Sequence, residues 1–149
     1  MRPALDLLAQ VSALPPGDMI DLGCGDGAMG AALAHRFADR RRIGVDASPA
    51  LLAAAKAGGN HTVLELADIA DWVPGPPPAL IFSNAALHWL GDHATLLPPL
   101  AACIAPRGLL AVQMPGQHGA PSHSRCARSA CGSRQAGSIP TLLWQCRTK

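Results

Sequence analysis

The sequence predicts one α/β domain with a Rossmann-like parallel sheet flanked by helices. Short apolar runs alternate along the chain with segments whose apolar residues recur at helical spacing, as in strands joined by crossover helices. A glycine-rich motif follows the first apolar run, and an acidic residue ends the second. The 149 residues, of which 49% are hydrophobic, are enough for one buried core.

The first elements follow from local signals. Residues 3–13 carry apolar side chains at three-residue spacing and are predicted to be a helix, which Pro15-Pro16-Gly17 ends. The apolar run 19–22 precedes glycines and is predicted to be a buried strand. Residues 28–38 are rich in alanine and leucine, with one apolar stripe, and are predicted to be the second helix.

A second strand and a capped helix come next. Residues 42–46 are predicted to be a strand that ends at Asp46. Ser48 has the side chain of a helix N-cap, and proline occupies the first position of the predicted helix 49–57. Glycine at position 58 marks the end of that helix.

The remaining elements complete the alternation. Apolar runs predict three further strands, at residues 62–66, 79–82 and 108–114. The proline-rich residues 74–78 are predicted to be a stiff surface connection. A helix is predicted at 93–105, interrupted at Pro98-Pro99, with His93 as an exposed residue at its start.

Charge divides the chain into two parts. Residues 1–116 carry seven Lys and Arg against ten Asp and Glu, whereas residues 117–149 carry five Lys and Arg and no acid. The acidic balance of the first part and the five aromatic residues of the whole chain argue against nucleic-acid binding. We expect residues 1–116 to form the folded core and 117–149 to be irregular, with 139–144 the only part of that tail able to pack.

The sequence also predicts where the protein acts. No apolar run reaches the roughly 18 residues that span a bilayer. The first ten residues include Asp6 and do not resemble a secretion signal. We therefore expect a cytoplasmic protein with no membrane contact. The histidines and cysteines of the tail match no zinc-binding spacing, so no metal site is predicted.

The strongest local signal is the motif DLGCGDG at residues 21–27. Glycines allow positive φ and close approach of a ligand, and the start of the following helix offers free N–H groups. A P-loop is excluded because no Gly-Lys-Ser/Thr follows. Gly23, Gly25 and Ala28 also satisfy GxGxxA, with Asp46 at a suitable distance for a ribose, so a dinucleotide-binding domain is an alternative.

Acidic residues follow the next two strands. Asp46 is placed to accept both hydroxyls of a ribose, although an acid at the start of a helix is also favoured by the helix dipole. Asp68 is placed to accept an adenine amino group, with Ile69 against the ring. Taken alone, Asp68 is equally suited to capping a loop.

Several segments together resemble the class I S-adenosylmethionine-dependent methyltransferases, and within them the enzymes that methylate a carboxylate of a small acid. The resemblance covers roughly residues 2–123 and rests on DLGCGDG, GVDASPALLAAA, ADIADW, IFSNAALHWLGDH, RGLLAVQMPG and PSH. It implies the strand order 3-2-1-4-5, S-adenosylmethionine as cofactor and a small-molecule carboxylic acid as substrate. A carboxylate on an acyl carrier is the alternative substrate.

The resemblance also implies roles for residues. The glycine motif would hold the methionine part of the cofactor, Asp46 the ribose, Asp68 and Ile69 the adenine, and 84–89 the sulfonium end. The cofactor-binding candidates are Asp21, Gly23, Cys24, Gly25, Gly27, Asp46, Ala47, Asp68, Ile69, Asn84 and Leu87. His88 is the candidate catalytic residue, with a solvated loop histidine as the alternative. Leu87 and Trp89 are expected to be core in part.

The implied reaction needs few catalytic groups. A carboxylate is already ionised at neutral pH, so methyl transfer to it needs no general base. Catalysis then depends on positioning and on the exclusion of water. This agrees with a sequence that shows no nucleophile–base motif.

The sequence departs from the resembled family at both ends and at one internal position. A region before Arg2 that helps to close the pocket in that family is expected to be missing. After residue 123 we expect its substrate-covering insertion and its last two strands, an antiparallel hairpin against the fifth strand, to be missing. The fifth strand would then be an unpaired edge. Cofactor binding and methyl transfer would be weakened, and an inactive fragment or a module that only binds the cofactor is the alternative to an enzyme. Arg107 stands where a glycine is common in that family.

Overall fold

The structure is a computed structural model that describes residues 2–11, 13–114 and 141–145. The helices of this part are α1 (Arg2–Gln10), α2 (Gly30–Arg36), α3 (Pro49–Gly58) and α4 (His93–Ala102). The strands are β1 (Met19–Leu22), β2 (Arg42–Asp46), β3 (Val63–Leu66), β4 (Leu80–Asn84), β5 (Leu109–Gln113) and β6 (Thr141–Gln145). A 3₁₀ turn, Leu87–Trp89, lies between β4 and α4. The predicted boundaries are therefore close to the observed ones.

The described strands form one sheet in the order β3-β2-β1-β4-β5-β6. Strands β1 to β5 are parallel, which confirms the expected order 3-2-1-4-5. Asp21 of β1 pairs in register with Gly44 of β2 on one side and with Phe82 of β4 on the other. This register brings the carboxyl ends of β1, β2 and β4 to the same edge of the sheet.

Strand β6 corrects the expectation for the tail. It pairs antiparallel with β5, with Ala111 opposite Leu143. The expectation that 117–149 is irregular and leaves β5 unpaired is therefore wrong for residues 141–145. The sequence indicates that 139–144 is the part of the tail able to pack, but it does not show that the partner is β5, because sheet pairing depends on a strand that is remote in sequence. Residues 117–140 and 146–149 lie outside the described residues, and the boundary at 116 stays a prediction.

The core lies on both faces of the sheet. One cluster includes Ile20, Ile81 and Leu110 from the strands and Leu97 and Leu100 from α4. The other is formed by alternate strand residues with apolar side chains of α1 and α2, and its members include Met19, Leu80, Phe82, Leu7, Leu8 and Leu33. Alternation along β1 and β4 thus sends successive side chains to opposite faces, as expected for strands covered by helices on both sides.

Helix α3 ends as its sequence predicts. The Ser48 side chain accepts a hydrogen bond from the Leu51 amide at 3.4 Å, and Pro49 occupies the first turn. Gly59 follows the helix with φ of 66°. Because α3 leads from the end of β2 to the start of β3, Gly59 lies at the edge of the sheet opposite to the carboxyl ends.

Helix α4 differs from its prediction in two ways. It runs through Pro98 and Pro99, which are exposed, so the expected interruption is wrong. The amide hydrogen bonds that these prolines cannot make lie on the solvent face, while Leu97 and Leu100 anchor the opposite face in the core. His93 was expected to be exposed, but it is buried, and its Nε2 lies 2.7 Å from the carbonyl oxygen of Leu87.

Arg107 precedes β5 with φ of 68°, a left-handed conformation that favours glycine. This geometry explains why a glycine suits the position. Among the described helices, none is both long and apolar enough to cross a membrane.

Candidate functional site

The loop that follows β1, Gly23–Gly27, is shaped by its glycines. Gly23, Gly25 and Gly27 have φ of 75°, 57° and 83°, values that side chains rarely allow. The amides of Gly23 and Cys24 both donate to the carbonyl oxygen of Val45, at 2.8 and 3.0 Å. The loop is therefore fixed to the end of β2 by its backbone.

Two of these glycines face different surroundings. A Cβ on Gly23 would lie 2.2 Å from the Cβ of Ala86, so the segment after β4 closes directly on this residue. A Cβ on Gly25 would meet nothing within 4 Å. Gly25 therefore borders open space, and a ligand can approach the backbone there without displacing protein atoms.

Asp46 lies beside the loop, at the carboxyl end of β2. Its Oδ2 accepts a hydrogen bond from the Gly25 amide at 2.9 Å, and its Oδ1 accepts one from the Ser48 amide at 2.9 Å. The residue is half-buried. A carboxylate offers about four acceptor positions, so Asp46 retains capacity for hydroxyl donors of a ligand.

Asp68 and Ile69 follow β3. The Asp68 carboxylate accepts a hydrogen bond from the Ala70 amide at 2.9 Å, which is the loop-capping arrangement, and the residue is exposed. The Cδ1 of Ile69 lies 3.2 Å from the position of a Cβ on Gly23. The apolar side chain therefore lies against the glycine loop. Ala47, next to Asp46, is exposed.

Asp21 occupies a different position from the other candidates. Its side chain is buried, and its Oδ2 lies 2.9 Å from Nε2 of His61. Burial raises the pKa of the Asp21 carboxyl, and the hydrogen bond with His61 lowers it in part. Asp21 is therefore enclosed in the protein at the base of the loop, with His61 as its side-chain partner. His61 is not among the site residues that the sequence predicts, since a histidine between a helix and a strand carries no local sign of burial.

Cys24 is also directed inward. It is buried, and its Sγ lies 3.0 Å from the position of a Cβ on Gly44. Burial, together with the nearby Asp21 and Asp46 carboxylates, raises the pKa of the Cys24 thiol to about 12. The thiol is thus neutral at physiological pH and is no nucleophile.

The segment after β4 approaches the loop from the other side. Asn84 is half-buried at the end of the strand, and Ala85 has φ of 53°, which places Ala86 against Gly23. Leu87 is fully buried in the core, which confirms the expectation that this residue packs there. Trp89 is 81% exposed, so the expectation that it is partly core is wrong.

His88 lies in the same turn, half-buried, with its ring centroid 4.6 Å from that of Trp89. Its Nδ1 is buried and has no hydrogen-bond partner within the described part of the chain. Its catalytic role stays a prediction. Among residues 2–11, 13–114 and 141–145, no group of three or more His, Cys, Asp or Glu could hold a metal ion.

The arrangement suits binding of a polar ligand with a sugar. An open glycine backbone, a carboxylate with free acceptor positions and an apolar side chain converge at one edge of the sheet. These groups bind and orient a ligand, and the neutral thiol of Cys24 supplies no covalent chemistry.

Comparison with known proteins agrees with this fold. Residues 1–143 match a family described as a methyltransferase domain. The chain is 49% identical over 132 residues to the trans-aconitate 2-methyltransferase of Methylobacterium radiotolerans, covering 89% of this chain and 50% of that protein. It is 48% identical over 122 residues to the enzyme of the same name from Acidovorax sp. (strain JS42), covering 82% and 47%. The chain spans about half the length of the curated relatives it matches.

Solved structures show the same fold. An S-adenosylmethionine-dependent methyltransferase from Mesorhizobium loti superposes with a TM-score of 0.62 and 28% identity, covering 74% of this chain and 52% of that one. Phosphoethanolamine N-methyltransferase 2 of Haemonchus contortus, solved with S-adenosyl-L-methionine, gives a TM-score of 0.65 at 23% identity. That superposition covers 85% of this chain and 31% of the Haemonchus one, and it bears on the fold alone.

Proposed function

Because the chain belongs to the methyltransferase domain family, we propose that it binds S-adenosylmethionine at the glycine loop and transfers the methyl group to a carboxylate of a small acid. The observation that carries the proposal is the pairing of Gly25 with Asp46. Gly25 leaves open space beside its backbone, and Asp46 holds a half-buried carboxylate 2.9 Å from its amide. The match to the methyltransferase domain family favours this function over that of a dinucleotide-binding domain.

The described residues suit this cofactor. Gly25 and Gly27 would admit its methionine part, Asp46 and Ala47 would lie at the ribose, and Asp68 and Ile69 at the adenine. The support is the open position at Gly25, the free acceptor capacity of Asp46 and the apolar contact of Ile69 with the loop. Asp21 and Cys24, which are buried, would act from beneath the loop.

Methyl transfer to a carboxylate requires few further groups from the protein. When bound, the cofactor would supply an electrophilic methyl group on its sulfonium, which a carboxylate oxygen of the acid would accept while the C–S electron pair stays on the sulfur and leaves it neutral. No proton moves, so no general base is needed. The protein's part is alignment of the two groups and exclusion of water. Asn84 and His88, after β4, are the candidates for orienting the acid.

The proposed substrate is trans-aconitate. The blocks NAALHW and AVQMPG, at 84–89 and 111–116, resemble trans-aconitate 2-methyltransferase, and curated relatives 46% to 49% identical carry that name. Since the chain spans half of those proteins, both the activity and the substrate are part of the proposal. A cytoplasmic location also remains a prediction.

A matched pair of variants tests the binding site. Gly25→Ala and Gly59→Ala both add a Cβ in open space at a positive φ, so each should cost about 1 kcal/mol of stability. Thermal unfolding is measured with and without S-adenosylhomocysteine. At 100 times the dissociation constant the wild type and Gly59→Ala should gain about 2.7 kcal/mol. Gly25→Ala should gain almost nothing.

The outcomes separate the alternatives. If Gly25→Ala is stabilised as fully as Gly59→Ala, the ligand does not lie at Gly25. If the wild type itself gains nothing, the chain does not bind this cofactor. Transfer of a labelled methyl group to trans-aconitate, with an acyl-carrier carboxylate in parallel, then tests the substrate. Binding without any ester product would support a module that only binds the cofactor.

A further inference from the structure

His61 fills a space beneath the glycine loop that three glycines leave open. Its Cδ2 lies 2.9 Å from the position of a Cβ on Gly44. Its Cε1 lies 3.1 Å from that position on Gly30 and 3.6 Å from that on Gly27. The imidazole is thus enclosed by β2, by the end of the loop and by the start of α2.

The ring has one polar partner among the described residues. Its Nε2 lies 2.9 Å from Oδ2 of Asp21, and the two side chains are 2% and 3% exposed. Its Nδ1 is buried without a hydrogen-bond partner in the described part of the chain. The arrangement that leaves no buried N–H unpaired has hydrogen on Nε2, which donates to the Asp21 carboxylate, and none on Nδ1.

We propose that His61 is a positioning residue for the glycine loop, joining Asp21 at the end of β1 to Gly27 and Gly30 at the start of α2. Asp21 would then influence a ligand through His61 and the loop backbone, without touching the ligand. The part of this inference that concerns ligand affinity rests on the proposed function.

The contacts explain why no other side chain takes this role. Cys24 lies on the same side of Gly44, but its thiol directs its weak hydrogen bond to the Gly25 carbonyl, at 3.8 Å. Asp46 uses both of its oxygens on the backbone amides of Gly25 and Ser48. Within the described residues, His61 is the side chain that contacts both Asp21 and the glycines of the loop and α2.

The first test uses the ligand-free protein and two substitutions. In His61→Gln the side-chain amide nitrogen can take the place of Nε2 and donate to Asp21, whereas His61→Leu removes the donor. Nitrogen NMR should show hydrogen on Nε2 and none on Nδ1 in the wild type. The backbone amide signals of Gly23, Gly25 and Gly27 should stay close to wild type in His61→Gln and move in His61→Leu.

The second test measures binding of S-adenosylhomocysteine by calorimetry, well below every unfolding midpoint. His61→Leu should bind at least about tenfold more weakly, since the ligand must then order a loop that the contact with Asp21 no longer fixes, and His61→Gln should bind within a few-fold of wild type. Leu100→Ala, on the core face of α4, is the control that loses stability and keeps the hydrogen bond between His61 and Asp21.

The outcomes distinguish the two proposals. If His61→Leu lowers the unfolding midpoint but leaves the glycine signals and the affinity unchanged, the pair is only structural and the inference is overturned. The same holds if His61→Gln is as impaired as His61→Leu. If the wild type binds no S-adenosylhomocysteine while the glycine signals respond as expected, the proposed function fails and the positioning role stands.

Discussion

The amide of Gly25 donates a hydrogen bond to the carboxylate of Asp46 at 2.9 Å, across a sequence separation of 21 residues. This contact joins the loop after β1 to the end of β2. It holds the Asp46 carboxylate beside Gly25, the glycine of this loop that borders open space. Loop shape and acceptor position are therefore coupled.

Replacement of Asp46 should separate binding from stability. Asp46→Ala leaves the Gly25 and Ser48 amides without their acceptor, so we expect a loss of about 1.5 kcal/mol of stability, the low end for hydrogen bonds to a charged group, because the site is half-buried. Stabilisation by S-adenosylhomocysteine in thermal unfolding should disappear.

Asp92→Ala is the matched control for that variant. Asp92 also accepts a backbone hydrogen bond, from Ala94 at 3.0 Å, and caps α4. It should lose a similar free energy, about 1 kcal/mol. Its response to the ligand should equal that of wild type. Equal ligand responses in both variants would remove Asp46 from the binding site.

Arg107 offers a test of backbone strain. Because φ is 68° at this position, the protein should be more stable with glycine there than with any other residue. We expect Arg107→Gly to be about 1 kcal/mol more stable than Arg107→Ala, because both lose the arginine side chain and only glycine relieves the left-handed conformation. Urea unfolding measures the difference. Equal stability of the two variants would show that the strain is absent.

Asp21 should give the protein a defined dependence on pH. Burial raises the pKa of its carboxyl above the ordinary value of 3.8. The folded chain therefore binds this proton more readily than the unfolded chain, so the contribution of Asp21 to the free energy of unfolding falls as pH rises from 3.8 towards the raised value.

Asp21→Asn removes that titration while retaining an acceptor for His61. The free energy of unfolding of the variant, relative to wild type, should therefore increase as pH rises over that interval. Urea unfolding at a series of pH values measures it. A constant difference between the two proteins, or one that decreases, would contradict the raised pKa of Asp21.

Cys24 should resist alkylation. With a pKa of about 12, its thiol is ionised to about one part in ten thousand at pH 8. Mass spectrometry of the peptide that contains Cys24 should show slow labelling by iodoacetamide in the native protein and rapid labelling in urea. Equal labelling rates in the two states would mean that the thiol is accessible and that its pKa is not raised.

The sequence was sufficient for the strands that alternate with helices. Apolar runs such as 19–22 and 42–46 are bounded by glycine or an acid, and these local signals coincide with the ends of β1 and β2. The glycine that the family resemblance implies at position 107 also agrees with the observed φ, although no local signal indicates it. The ends of β1 and β2 depend on the residues next to them, so they could be predicted from the neighbouring sequence.

Burial and pairing between remote segments were not predictable in this way. His61 and His93 are polar residues at the edges of elements, and only the packing of distant segments encloses them. β6 forms because β5 offers a free edge, which the composition of the tail does not reveal. Trp89 is exposed for the converse reason, since no described element covers it.

The position of β1 has a consequence for synthesis on the ribosome. Its second neighbour is β4, and the contact of Ser83 with the Leu22 carbonyl spans 61 residues. Ala86, which closes on Gly23, is made later still. A nascent chain that ends before these residues therefore exposes one edge of its central strand and an incomplete ligand loop. Such an intermediate exposes an unpaired strand edge that favours aggregation, and the proposed ligand could not assist folding until residues 83–86 have emerged.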